Sequence, residues 1–458
     1  MRYKIFIYTL ALQLISFFAQ SQSFSLSPYS KFGIGDLSYT TYQPSLGMGY
    51  SSIAQRSNRY INDANPASAS EIDTMTFLSE ISLMGRNHQL KNSTTSKATT
   101  NTDISYFAMA FPIMKKWGVN LGLSPISNVG YNISENKNID TLTLTNDYKG
   151  DGGINEVFLN NGVQILTLLK NNKINDNLQK TFIHHLSIGI RASYVFGSLD
   201  RYSTATFKNE SNVFDLYKTE RLLISDFTYK TGLQYQYTIQ EVNNGFRTNK
   251  LKLVIGFTFD NKQELNSKQT TLVTKYLNLM GYVTKDTIEN KINKKGIIQT
   301  PLSLGFGFSI TTNDKFTWAA DIRMQQWSKV MFFDNNPNLR NTLFASTGIQ
   351  YIPDPYKFYS YWKMVNYRIG AYYNQTYLNI NNHDINELGI TFGLGLPITK
   401  TDKGEGTMVR RKLPPMINLA LSYGTRGTTS DNLIKERFLQ FSIGLNLQDI
   451  WFIKRKYN

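Results

Sequence analysis

From 301 to 311 the chain alternates without a break, with Leu302, Leu304, Phe306, Phe308 and Ile310 set against Ser303, Gly305, Gly307, Ser309 and Thr311. A period of two puts successive side chains on opposite faces of a strand. One face is oily and the other small and polar. A soluble sandwich would turn the oily face inward; a membrane barrel would turn it outward. The alternation returns at 186–196, 251–259, 388–398, 417–423 and 439–447. Most of these runs are about nine to eleven residues long, enough to cross a bilayer when tilted, whereas soluble strands run nearer five or six. Arg191 and Arg368 fall on polar faces, which a barrel would point into a wet lumen. The pattern predicts an all-β, transmembrane antiparallel β-barrel.

Strands are expected near 74–90, 102–113, 117–132, 182–199, 219–239, 249–263, 268–283, 299–312, 315–328, 342–352, 363–378, 385–399, 412–425 and 437–449. A further run at 155–168 would make the count odd, and bacterial barrels have an even number with both termini in the periplasm. Parity therefore assigns 155–168 to a long extracellular loop within 133–181 and leaves about 14 strands. It also puts the turns at Lys115-Lys116, 264–267 and Asn313-Asp314, and the connection 200–218, on the periplasmic side, with 285–296 and 329–341 outside.

The N-terminus carries Arg2 and Lys4, an apolar core from 5 to 18, and Ala19-Gln20-Ser21 as a cleavage site. That is the form of a secretory signal, and the apolar core is shorter than the ~20 residues of a spanning helix. Residues 1–21 are read as a signal peptide, 22–73 as an N-terminal plug or hatch segment in the lumen, and 74–458 as the barrel. The segment after the signal does not alternate, and a closed barrel leaves a lumen to fill.

Composition narrows the chemistry. With no cysteine there is no disulfide framework and no thiol catalysis. The 28 Tyr and 28 Phe suit aromatic girdles at the two membrane interfaces. The formal charge of +16 comes from Lys and Arg scattered along the chain, not gathered in a basic arm, so no nucleic acid is implied. A basic exterior suits outer-membrane lipid and phosphate-rich lipopolysaccharide. No metal or cofactor site is expected: His184 and His185 are adjacent, so they face opposite sides of a strand, and the chain lacks H-E-x-x-H, G-x-S-x-G and a Walker A loop. The chain is read as a non-enzyme.

Two features remain. Asp321 and Arg323 share a face, and with Arg191 and Arg368 they are candidate lumen residues. Two roles fit them: an ion-pair network holding the plug, or contacts to the polar head of a ligand. Pro125, inside a strand, cannot donate to the ladder and marks a break in the wall, either a bulge or a lateral opening.

Leu46-Gly47-Met48-Gly49, Ala54 and Asn65-Pro66-Ala67 stand in that order between the signal and the barrel. With Gln326-Trp327-Ser328 and the aromatic end Trp451-Phe452, they give the chain a resemblance to the FadL outer-membrane transport family, in its Bacteroidetes-type branch. The resemblance implies passive uptake of hydrophobic small molecules such as long-chain fatty acids. Asn65, Pro66 and Ala67 would form a hatch motif, and release would be lateral, without a cofactor. The same fold includes relatives that serve secretion, so a barrel acting as a binding or scaffold partner of secretion-system proteins is the alternative reading.

Overall fold

Extended chain in a bilayer must satisfy every backbone donor and acceptor from neighbouring strands, which forces closure of the sheet. The computed structural model describes residues 27–39, 42–139, 142–175, 178–207, 213–243, 246–279, 282–355, 360–398 and 414–450. The expected signal peptide and Trp451-Phe452 lie outside the described residues.

A two-residue strand, β1 (Asp36–Leu37), precedes the wall. There follow β2 (Thr76–Lys91), β3 (Ser96–Met114), β4 (Trp117–Ile139), β5 (Leu142–Asn175), β6 (Leu178–Phe207), β7 (Asp215–Asn243) and β8 (Phe246–Asp260). Next come β9 (Glu264–Leu279), β10 (Tyr282–Gln299), β11 (Ser303–Thr312), β12 (Phe316–Gln325), β13 (Thr342–Tyr351), β14 (Asn366–Ile380), β15 (His383–Pro397), β16 (Met416–Arg426) and β17 (Lys435–Ile450). β2 to β8 pair in sequence, β8 pairs with β11, β11 to β17 continue, and β17 returns to β2. The result is a closed barrel of 14 antiparallel strands. Asn313-Asp314 and Asn381-Asn382 turn between strands at positive φ, in the primed-turn geometry that Asn and Asp tolerate.

The oily faces look outward. Phe306 is 52 % exposed on the outer surface of β11 while Ser309 is buried, and Trp318, Ile322 and Met324 face out from β12 while Asp321 is buried. This orientation excludes a sandwich, whose apolar faces would be packed together. His184 points outward to the Tyr235 hydroxyl at 2.7 Å and stacks on Tyr237, part of an aromatic band.

Four positions differ from the pattern read in the sequence. Residues 155–168 are the middle of β5, a wall strand paired to both β4 and β6, not an extracellular loop. Residues 268–283 are not in the wall: β9 and β10 form a hairpin whose first strand pairs with the outer part of β7. The two exchanges cancel in the count. Because Thr76 pairs with Ile450, both ends of the wall lie at one end of the barrel, the periplasmic one by the bacterial rule. The connections at 200–218 and 264–267 accordingly fall at the outer end, opposite to the parity assignment, whereas Lys115-Lys116 and Asn313-Asp314 fall at the periplasmic end.

A candidate site in the lumen

The inner face is lined by polar and small residues because the outer face takes the apolar ones, and the N-terminal segment packs against it. Asn65 is fully buried. Its Oδ1 accepts from the Ala67 amide at 3.1 Å, capping the 3-10 turn Pro66–Glu71. Asn is a strong cap, and Pro is tolerated next because that amide has no helical partner. The Asn65 Nδ2 donates to the carbonyls of Ile53, Leu233 and Phe257 at 3.1, 3.2 and 3.3 Å, so Asn65 ties the segment to β7 and β8. Pro66 and Ala67 lie over β6, where a Cβ on Gly189 would come within 2.3 Å of the Pro66 carbonyl carbon.

The lumen charges hold this segment. The Ser52 and Ile53 amides donate to Asp321 Oδ2 at 2.5 and 2.8 Å. Arg323 donates to Ser52 Oγ at 2.6 Å and lies 3.8 Å from Asp321. Arg191 donates to the Asp63 carbonyl at 3.1 Å and to Glu156 Oε1 at 2.5 Å, with its guanidinium 4.0 Å from the centre of the Phe158 ring. Arg368 binds Gln350 and Asn418 at 2.7 and 2.8 Å, with Tyr60 beside it. The four do not converge on one point. Three bond directly to the N-terminal segment, and Arg191 and Arg323 also border a cavity that Asp321 and Arg368 do not reach.

Their partners were hidden in the sequence. Glu156 falls in the run that parity assigns to a loop, and Asp63 sits in a segment with no period. Arg426, one residue past an expected strand, pairs with Asp36 at 2.9 Å and Glu436 at 2.8 Å and anchors the start of the N-terminal segment. Parity along β16 would have found it. Burial pushes the Asp63 carboxyl up to about 6, against the pull of Arg191.

The wall is interrupted beside Pro125. β3 and β4 pair only from Met114 and Trp117 up to Phe107 and Leu123. Above that level β3 and β4 no longer pair with each other: β3 continues with β2, and β4 continues with β5 across a bulge between Pro125 and Ser127. Ile104, 59 % exposed, lies on β3 just past the last pair, so the seam begins at the level of outward apolar side chains. On the freed edge of β4 sits β1, pairing Asp36 with Asn128 and Leu37 with Ser127. Behind the seam lies a cavity of about 280 Å³, bounded by Pro125, Ile126, Ile154, Trp327 and Phe344 and by the Asp63, Glu156 and Arg191 cluster.

These features can be compared with known proteins. The family model described as BamG matches residues 1–458. The chain belongs to the BamG family. No curated protein matches it. Among solved structures, a Pseudomonas aeruginosa FadL homologue aligns with a TM-score of 0.51 at 11 % identity, covering 91 % of this chain and 100 % of that one. The Ralstonia pickettii toluene transporter TbuX aligns at 0.47 and 15 %, covering 88 % and 97 %. The Pseudomonas putida toluene transporter TodX aligns at 0.48 and 16 %, covering 90 % and 99 %. The fold is thus of the FadL type, and the protein is an outer-membrane β-barrel.

Proposed function

We propose that this barrel is a passive channel for the uptake of hydrophobic compounds across the outer membrane. The observation that carries the reading is the cavity backing onto the Pro125 seam. A solute in that cavity is beside a place where the strand ladder is absent, so it could pass into lipid without crossing periplasmic water. That avoids exposing apolar groups at about 0.8 kcal/mol per CH₂. In this reading Asn65, Pro66 and Ala67 form the hinge of a hatch, Pro125 marks the lateral exit, and Arg191 and Arg323 orient a polar group. Asp321 and Arg368 keep the N-terminal segment seated.

At about 280 Å³ the cavity is just below the usual size of small-molecule sites, which run from about 300 to 1,000 Å³. This favours a compact apolar solute over an extended long-chain acid. The test is uptake of labelled toluene and labelled oleate by cells with and without the protein. Protein-dependent uptake of toluene exceeding that of oleate is expected. Equal uptake of both probes in the presence and absence of the protein would refute the channel.

A further inference from the structure

The wall has a second interruption, on the other side of the same cavity. β7 pairs with β9 as far as Ile224 and with β8 from Thr231 onward. Residues 225–230 therefore have no ladder partner on that side, although they stay fully paired to β6 on the other. What fills the slot is a side chain. Gln263, in the short link between β8 and β9, accepts from the Tyr229 amide at Oε1 and donates from Nε2 to the Tyr229 carbonyl, both at 2.8 Å. Its amide group takes the place of a missing peptide unit. At the upper end of the slot Asp226 accepts from the Asn266 amide at 2.9 Å.

The slot joins an apolar exterior to the cavity. Its outer rim carries Phe227, 73 % exposed, and Tyr229, 49 % exposed, on the same outward face of β7 as Leu233 and Tyr235. Its inner rim is the cavity wall, formed there by Gln263, Leu265 and Pro301. Pro301 has no amide hydrogen to offer a neighbour. The slot is closed by side-chain hydrogen bonds, two between Gln263 and Tyr229 and two between Asn266 and Asp226 above them. The lower part opens by rotation about the χ angles of Gln263, whereas opening a ladder needs concerted loss of many backbone bonds.

We propose that the β7 slot is a lateral inlet through which compact apolar solutes dissolved in the membrane reach the cavity, with Gln263 as its gate. The inference rests on the uptake reading, and it separates the way in, at β7, from the way out, at Pro125. Solutes with an aromatic or alicyclic body suit the Phe227 and Tyr229 rim best.

The chain has no native cysteine, which makes the test clean. Thr228→Cys and Gln263→Cys are combined, and the slot is locked with a short bis-methanethiosulfonate cross-linker and released with reductant. The protein, in lipid nanodiscs, is exposed to a lipid-soluble aryl diazirine; after photolysis the labelling of Leu265 and Trp327 is mapped by mass spectrometry. Toluene uptake by cells carrying the same variant is measured in parallel. At least tenfold less labelling in the locked than in the reduced protein is expected, with Gln263→Ala labelling faster than the unmodified chain. Equal labelling of locked and reduced protein would overturn the inlet, whatever the uptake. Lock-sensitive labelling without protein-dependent uptake would support the inlet while refuting the channel reading.

Discussion

Asp63 is a buried carboxyl whose Oδ1 has no hydrogen-bond partner and whose Oδ2 lies 3.3 Å from Arg191. Because burial raises its pKa from 3.8 to about 6, the seated N-terminal segment takes up a proton more readily than a released one. Stability from this group is therefore present at low pH and lost as pH rises through about 6. Acidification from pH 7.5 to 5 should raise the intrinsic-rate-corrected hydrogen-exchange protection of residues 64–68, by up to about tenfold per pH unit in the titrating range. Asp63→Asn should flatten that dependence. A fall in protection on acidification would show that the Arg191 pairing outweighs burial. Arg191, Asp321, Arg323 and Arg368 are legible in the sequence, since they have inward parity on alternating strands, whereas Glu156 is not, because parity assigns its run to a loop. Nor is Asp63, 128 residues from Arg191, because no local pattern joins such positions.

At the level of elements, the N-terminal segment approaches the wall at glycines. A Cβ on Gly256 of β8 would stand 2.3 Å from the Ile53 carbonyl oxygen, so backbone meets backbone with nothing that can rotate aside. Gly256→Ala should cost about 1–3 kcal/mol, as overpacking does, and should expose 42–75 to limited proteolysis at lower protease concentration than in the unmodified protein. Unchanged proteolysis would mean that the segment shifts freely. The same scale shows where sequence reading fell short. β9 lacks the oily face of a wall strand, with Ser267, Gln269 and Lys275 on one side, Lys268, Thr270 and Thr274 on the other, and Leu272 next to Val273. The missing period is the signal that sets it apart from the barrel. With β9 counted as a wall strand, an even total leaves no place for the β5 run, which is why parity assigns 155–168 to a loop. The count survived because one strand was wrongly added and one wrongly removed.

For the whole molecule, the decisive quantity is the direction in which the oily faces look. Phe306→Lys would place an ammonium on the lipid side of β11, where charge near the bilayer midplane costs about 2–4 kcal/mol. Folding equilibrium into lipid vesicles should weaken by that amount, whereas a Lys in place of the exposed Thr287 on the β10 hairpin should change it by less than about 1 kcal/mol. Equal effects at the two positions would contradict the barrel's placement in the membrane. Reading along the chain is enough to establish that it is all-β, that its strands carry one oily and one polar face, and that their length suits a bilayer. Those are local properties, fixed by the period of two and by side-chain chemistry. The folded barrel alone reveals that β8 pairs with β11 across an excluded hairpin, that the ladder is missing beside Pro125 and along 225–230, and which buried charges meet. Each of these depends on register between strands far apart in the chain, and register is set by the closure of the sheet as a whole.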